Sequence, residues 1–498
     1  MSDITAGILS ICNFPIMALI FVGTFMGIIV GAIPGLSVTM GVALFLPLTF
    51  GMEPIAGLAL LCGLYIGGTS GGLISAILLK MPGTAASVAT TFDGHPMAER
   101  GEAPKALGIG IVSSFLGGLV SYIVLMLLAP FIAKFALKFG PYEYFSIGLF
   151  SMTMIVSLSS GSLVKGVLSG MIGFILAFVG IAPITSLTRF TFGVSDLNAG
   201  FSLLPMLIGL FAVAEVLVVL EEKFQPADTK VKECKIKGFG FTWNDVKDQG
   251  PNFLISTMIG TGIGILPGLG ASICNILSYS VVKNRSKYPE KFGTGVVDGI
   301  IASESSNNAS TGGAMIPLLT LGLPGDNTTA LILAGFMIHG ITPGPLLFRT
   351  EGKLVYGIFA ALLVSNLMML IVEFVGMRAF IKILSVPKNL LLPIVLVFCT
   401  VGAYANNNRV FDVIIMMVFG VMGYGMKKLK FPQAPVILAF ILCPTVETNL
   451  RRGLMKSQGS FLPFLTSPIS CVFLVIAVAT LVLTIRKEYL NSKKLKEI

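Results

Sequence analysis

Charge is scarce in this chain. Only 12% of the 498 residues are charged, whereas 54% are hydrophobic. Soluble domains carry about 25% charged residues, so a surface this poor in charge excludes a soluble enzyme, a secreted disulfide scaffold and a nucleic-acid binder. Several apolar stretches reach the roughly 18 residues that a membrane-spanning helix needs. The composition therefore predicts an all-α polytopic membrane protein.

Residues that bind metals or perform catalysis are also few. The chain has two histidines, and its seven cysteines show no CxxC spacing, which argues against a zinc site, a haem site or a disulfide framework. No GxSxG, HExxH or GxxxxGK[ST] motif occurs, so we expect neither an enzyme nor ATP hydrolysis. The net charge of +10 is interpreted as the positive-inside bias of a membrane protein rather than as nucleic-acid affinity. We expect no cofactor.

Glycine and proline are abundant instead, with 57 and 26 residues, and their motifs occur twice. Residues 27–36 match residues 260–269 at an offset of 233, and residues 71–83 match 313–325 at an offset of 242. Ordered matches of this kind indicate an internal duplication. We predict a first membrane repeat at 1–220, a polar linker at 221–250, a second repeat at 251–486 and a basic cytoplasmic tail at 487–498. The prediction includes about 12 transmembrane helices, and the two repeats are expected to be inverted.

Two glycine patterns have different interpretations. Glycine at every fourth position, as at Gly23 and Gly27, predicts close helix packing. Pro-Gly pairs predict broken helices or re-entrant hairpins, because proline removes a backbone donor and glycine tolerates left-handed backbone. Unwound backbone at membrane depth survives only where protein covers it or where it lines a wet cavity. Helix N-termini at such breaks attract anions, and free carbonyls attract sodium ions. Simple hairpin turns are the alternative.

Polar residues in the apolar halves are the remaining candidates. Residues 303–313 form either an external loop or the lining of a cavity. Glu304 and Asp326 are candidates for sodium or proton coupling, because carboxylates inside a membrane are rarely structural. Lys80 either attracts an anionic substrate or extends to the lipid headgroups. Other charges are expected at the membrane interface, namely those of Glu143, Lys165, Glu215, Glu373 and Asp412.

Several motifs together resemble the TctA family, the large membrane subunit of tripartite tricarboxylate transporters. They are Gly31-Ala-Ile-Pro34-Gly35-Leu36, Leu46-Pro47, Met81-Pro82-Gly83-Thr84, Asp93-Gly94-His95-Pro96, Phe139-Gly140-Pro141, Arg189-Phe190-Thr191-Phe192-Gly193, Asn307-Asn308 and the run from Ile316-Pro317 to Pro324-Gly325. The resemblance covers about residues 15–460. This chain differs from the usual pattern at Lys80, at Ser303-Glu304-Ser305 and at Asp326, and these differences put citrate in doubt as the substrate.

The resemblance implies a multi-pass carrier of the bacterial cytoplasmic (inner) membrane with two partners, a small membrane subunit and a periplasmic solute-binding protein. It also implies uptake driven by an ion gradient, commonly sodium, rather than by ATP. Residues at the breaks and in the polar run would line the site. The predicted substrate-binding residues are Pro34, Gly35, Lys80, Pro82, Gly83, Thr84, Pro267, Gly268, Asn307, Asn308, Pro324, Gly325 and Thr328. The ion-coupling candidates are Glu304, Asp326 and Asn327, and the ligands of the expected sodium ion are left open.

We therefore expect a secondary transporter of a small di- or tricarboxylate that works by alternating access, with a core that contains both Pro-Gly breaks moving relative to the other helices. A channel or gated pore for small anions is the first alternative and would show downhill flux without a binding protein. An intramembrane enzyme is the second alternative, and the missing nucleophile, base and metal motifs argue against it.

Overall fold

The computed structural model describes residues 2–34, 36–158, 162–221, 240–268, 270–383 and 388–496. Apart from a two-stranded hairpin, the regular structure is helical. Chain contacts divide the molecule into two units. The first unit comprises Met1–Ala133, Val219–Ile265 and Leu269–Gly402, and the second comprises Lys134–Val218, Leu266–Gly268 and Ala403–Ile498. Each unit therefore combines segments from both halves of the sequence.

The first unit contains the predicted breaks after Pro34, Pro82 and Pro324. Its helices from the first half are α1 (Ser2–Ile11), α2 (Phe14–Ala32), α3 (Val38–Phe45), α4 (Pro54–Leu79), α5 (Thr90–Glu99) and most of α6 (Ala103–Ala136). The second unit contains α7 (Pro141–Leu158), α8 (Leu163–Ala177), the strands β1 (Gly180–Ile181) and β2 (Thr188–Arg189), α9 (Leu203–Leu207), a π-helical turn (Ile208–Val213) and most of α10 (Ala214–Glu221).

The second half of the sequence follows the same division. It adds α11 (Trp243–Val246), α12 (Gly250–Gly264), α13 (Gly270–Arg285), α14 (Val297–Leu321), α15 (Asn327–Ile338), α16 (Leu347–Thr350), α17 (Gly352–Ile383) and most of α18 (Lys388–Asn407) to the first unit. It adds α19 (Val410–Lys428), α20 (Ala434–Lys456), α21 (Leu462–Thr466) and α22 (Pro468–Lys496) to the second unit. The last helix continues through most of the segment predicted as a basic tail.

Eight helices of the described residues are long and apolar enough to cross a membrane, and four shorter apolar helices accompany them. The prediction of a polytopic helical membrane protein is confirmed. The total of about 12 spans and the inverted relation of the repeats stay predictions. Of the predicted linker, residues 222–239 lie outside the described residues.

The two halves of the sequence contain a similar order of helices and breaks. A long helix, a break and a second helix make up α2–α3 and also α12–α13. A second long helix followed by a break and a short helix makes up α4–α5 and also α14–α15. The Pro-Gly pairs lie at these breaks, as their backbone chemistry predicts, since proline cannot continue the hydrogen-bond ladder.

The same close contacts join the matched helices. A Cβ on Gly27 would lie 2.6 Å from the carbonyl oxygen of Leu64, and a Cβ on Gly264 would lie 2.5 Å from that of Ser310. Three contacts between α2 and α4 have an equivalent between α12 and α14. Gly27–Leu64 corresponds to Gly260–Ser306, Gly31–Gly68 corresponds to Gly264–Ser310, and Ile28–Gly71 corresponds to Thr261–Gly313. Every member of the second set lies 233 or 242 positions after its counterpart. The close packing predicted from every-fourth glycine is confirmed, and bare backbone is what allows it.

One of the two alternatives predicted for residues 303–313, the external loop, is wrong. These residues form the middle of the continuous helix α14. Their serine, threonine and asparagine side chains are buried, which excludes the external loop. Helical backbone bonds satisfy the main chain here, so only the side chains need partners.

Candidate functional site

The first break follows α4. Lys80 ends this helix in the left-handed conformation (φ 58°), and both Lys80 and Pro82 are exposed. Gly83 and Thr84 are buried. Gly83 fits against the backbone of Gly31, with room for no side chain. The Thr84 hydroxyl is buried and makes no hydrogen bond to the described residues.

The second break follows α14 and is held more firmly. Pro324 and Gly325 are buried, and Asp326 is the N-cap of α15. The backbone N–H of Thr329 donates to Asp326 Oδ1 at 2.7 Å, and the Tyr65 hydroxyl donates to Oδ2 at 2.6 Å. Asn327 begins the helix and is partly exposed. Both carboxylate oxygens of Asp326 therefore have structural partners, which the sequence pattern did not indicate.

Two helix N-termini meet inside the first unit. Thr39 lies in the first turn of α3, and Thr328 lies in the first turn of α15, with 3.1 Å between their hydroxyl oxygens. The free N–H groups and the dipole of a helix N-terminus favour a negative ligand. Pro34, partly buried, precedes α3, whereas Gly35 lies outside the described residues. The helix that follows the break at Pro34 therefore begins next to the helix that follows the break at Pro324.

The polar stretch of α14 faces the first half of the chain. Asn307 Nδ2 donates to the carbonyl oxygen of Thr69 at 3.3 Å, while its Oδ1 has no partner among the described residues. Neither amide atom of Asn308 has a partner there, although the residue is fully buried. Buried amides are almost always hydrogen-bonded in native proteins. These atoms are therefore the strongest structural candidates for contact with an ion, a water or a substrate.

Glu304 lies one turn before Asn308 on α14. Thr90 donates a hydrogen bond to its Oε1, and Ser114 donates to its Oε2 at 2.9 Å. Among the described residues it forms no ion pair. It thus combines full burial with uncharged polar partners, as the ion-coupling hypothesis requires.

The interfacial position expected for Glu373 is wrong. Its side chain is 0% exposed, and the Ser70 hydroxyl donates to its Oε2 at 2.9 Å. Asp412 in the second unit is also buried, at 1% exposure, and Asn407 and Arg409 bond its carboxylate. The prediction was based on the position of these residues near the ends of apolar stretches. That position does not show whether a side chain faces the protein interior or the membrane surface.

Asp93 has a structural role in the family-like motif at 93–96. One of its oxygens accepts hydrogen bonds from the N–H groups of Gly293, Gly295 and Val296, and Tyr279 donates to the other at 2.8 Å. This carboxylate therefore holds the loop that precedes α14 and has little capacity left for a ligand.

Not all predicted residues lie together. Hydrogen bonds connect α4, α5, α6, α14 and α15 around Glu304, Asn307 and Asp326, but Lys80 and Pro82 lie on the exposed side of their break. Pro267 is buried and Gly268 has φ 86°, and both are grouped with the second unit. Residues that the sequence did not single out are Thr39, Tyr65, Thr69, Ser70 and Ser114. Tyr65 had one available signal, because it is the counterpart of Asn307 at the offset of 242.

The described residues contain no cluster of three or more histidine, cysteine, aspartate or glutamate side chains that could hold a metal ion. A sodium ion would need oxygen ligands from amides, hydroxyls and carbonyls, which the site offers at Thr84, Asn307 and Asn308. Oxygen atoms of this kind are the ligand type that sodium prefers.

Packed, broken helices with a buried polar centre define a polytopic helical membrane protein of the transporter type. Residues 17–438 match the family model described as "Tripartite tricarboxylate transporter TctA family", and the chain belongs to this family. The family is one of transporters, not of enzymes. Its members work with further subunits, including a solute-binding protein.

Two relatives from Agrobacterium vitis are similar in sequence. One, named "Uncharacterized 52.8 kDa protein in TAR-I ttuC' 3'region", is 35% identical over 93% of this chain and 92% of its own length. The other, named "Uncharacterized protein in TAR-II ttuC' 3'region", is 37% identical over 45% of this chain and 93% of its own length. No solved structure matches the chain.

Proposed function

We propose that this protein is the large permease subunit for uptake of a small di- or tricarboxylate across the bacterial inner membrane. A periplasmic solute-binding protein delivers the substrate, a small membrane subunit completes the transporter, and an ion gradient drives accumulation. Sodium is the expected coupling ion. The observation that supports this proposal best is the pair of helix N-termini at Thr39 and Thr328 beside a buried polar helix.

The site performs two tasks in this mechanism. The N–H groups that begin α3 and α15 and are not bonded to Ser37 or Asp326 bind carboxylate oxygens, together with Thr84, Asn307, Asn308 and Thr328. The carbonyls freed at the breaks and the orphaned amide oxygens hold sodium. A sodium ion bound next to the anionic substrate offsets the substrate's charge. The carrier with both ligands bound therefore changes conformation more easily than the carrier with the anion alone.

Transport in proteoliposomes tests the proposal. The chain, its small membrane partner and its binding protein are reconstituted, and radiolabelled di- and tricarboxylates are offered with an inward sodium gradient or without one. We expect accumulation that needs both the gradient and the binding protein. Equilibration without either component would instead identify a channel and remove the proposed coupled site.

The variant Asn308→Ala tests the site itself. We expect loss of uptake with normal membrane insertion, because the side chain makes no hydrogen bond to the described residues and its removal breaks none. Asn284→Ala, on an exposed position of α13, is the matched control and should transport normally. Normal uptake by the Asn308 variant would disprove its assignment to the site.

A further inference from the structure

Two carboxyl groups are buried in the first unit without a cation. Glu304 on α14 and Glu373 on α17 are both 0% exposed, and neither forms an ion pair with a described residue. A buried, ionised carboxylate costs several kcal/mol unless a partner compensates its charge. At least one of the two groups is therefore expected to carry a proton.

Their hydrogen bonds distinguish the two groups. Glu304 receives a donor on each oxygen, from Thr90 and from Ser114. Glu373 receives one donor, from Ser70, and its Oε1 is buried without a partner among the described residues. The environment of Glu304 is better suited to a negative charge. An ionised Glu373 would have one hydrogen-bond donor where Glu304 has two, so Glu373 is the better proton carrier.

Among the described residues, no charged side chain on α17 or on the helices packed against it forms an ion pair with Glu373. These neighbours are α1, α2, α4 and α16, and α6 joins them through a hydrogen bond from Asn366 to the Phe115 carbonyl. Their titratable or charged side chains are Asp3 on α1, none on α2, Cys62 and Tyr65 on α4, Lys105, Tyr122 and Lys134 on α6, and Arg349 on α16, while α17 itself adds Lys353, Tyr356, Arg378 and Lys382.

Several of these groups are already engaged elsewhere. Lys105 pairs with Asp245, Tyr65 donates to Asp326, and Tyr122 is bonded to Thr311. Glu304 is a second carboxyl that is buried in the same unit. Two like charges close together in a protein interior oppose each other's ionisation, which again favours one bound proton.

We propose that Glu373 is a proton-binding site of the carrier and that the proton moves with the substrate. While the site is open to the outside, water reaches Oε1 and the carboxylate binds a proton; the neutral group then crosses with the substrate and releases this proton to water on the inside. The empty carrier returns with Glu373 ionised and Ser70 donating to its Oε2, so that one proton enters in each cycle. Only the O–H bond forms or breaks. This inference rests on the proposed function, and it adds a proton to the ion-driven cycle.

Infrared spectroscopy of the reconstituted protein tests proton binding without any substrate. We expect a protonated-carboxyl C=O band in the wild type that Glu373→Gln removes, and a shifted band in Ser70→Ala, which loses only the donor to Oε2. Glu290→Gln, at an exposed loop residue, should leave the band unchanged. An unchanged carboxyl band in the Glu373 variant would overturn the assignment, and size-exclusion chromatography identifies a variant that fails only by misfolding.

Flux measurements test coupling. With a pH-sensitive dye inside the vesicles, wild-type uptake of the transported carboxylate should acidify the lumen, and collapse of the proton gradient should lower accumulation. Glu373→Gln should lose accumulation but retain exchange of internal for external substrate, because exchange needs no net proton release. Exchange therefore separates a coupling defect from a binding defect.

The outcomes distinguish the two proposals. Wild-type uptake that ignores the proton gradient, or full accumulation by Glu373→Gln, would overturn proton coupling and leave the transport proposal standing. Absence of wild-type uptake under every gradient would instead contradict the proposed function, and the infrared result would still decide whether Glu373 binds a proton.

Discussion

The two breaks at Gly83 and Gly325 share a backbone arrangement but differ in side chains. Gly83 lies against the backbone of Gly31, and Gly325 lies against the backbone of Gly264. Gly264 is the counterpart of Gly31 at the offset of 233. After Gly83, the buried Thr84 hydroxyl has no partner, whereas after Gly325, Asp326 caps a helix and accepts a bond from Tyr65. The two breaks thus share the close approach of the backbone and differ in their polar groups: Asp326 stabilises its helix, whereas the Thr84 hydroxyl makes no hydrogen bond to the described residues.

The shared backbone contact predicts the largest effect on folding. Gly83→Ala and Gly325→Ala should each destabilise the protein by about 1–3 kcal/mol, because a Cβ would overlap a neighbouring helix. Thermal unfolding of the purified protein in detergent measures the change. Gly262→Ala is the control, since its Cβ would meet nothing within 4 Å. It should be neutral or gain up to about 1 kcal/mol from helix propensity. Equal behaviour of all three variants would contradict the shared contact.

The divergent side chains predict a split between stability and transport. Asp326→Ala should cost about 1–2 kcal/mol, since it removes a helix cap and leaves the buried Tyr65 hydroxyl without its acceptor. Thr84→Val keeps the shape but removes a hydroxyl that has no partner, so stability should change by less than about 1 kcal/mol while uptake falls. Unfolding and uptake are measured on the same preparations. A Thr84 variant that transports normally would make the first break purely structural.

The smallest effect concerns an ion pair away from both breaks. A hydrogen bond from Lys105, with further bonds from Thr242, lowers the pKa of Asp245 to about 2. The stabilisation is present above the ordinary pKa of 3.8 and is lost as the pH falls through about 2. Asp245→Asn should therefore slightly lower the unfolding temperature at neutral pH, and the difference should vanish near the lower limit of that window. A difference that persists there would exclude the ion pair as its cause.

The architecture was largely predictable from local chemistry. Low charge and long apolar stretches predicted the membrane helices, the ordered glycine and proline motifs predicted the duplication, and the Pro-Gly pairs predicted where helices break. Each of these patterns depends on a residue's own backbone or on the free energy of its transfer into lipid. They can therefore be recognised without knowing which residues lie nearby in the folded protein. The polar run at 303–313 was ambiguous for the same reason, because no local rule says whether polar side chains face water or protein.

The sequence by itself therefore determined the class of protein and the breaks, and it predicted the repeats. Only the tertiary structure decided which polar groups are free to bind: it paired Asp326 with Tyr65, left Asn308 and Thr84 without partners and buried Glu373 beside Ser70. These partners lie far apart in the chain, and hydrogen bonding depends on distances of about 3 Å that only the packed helices define.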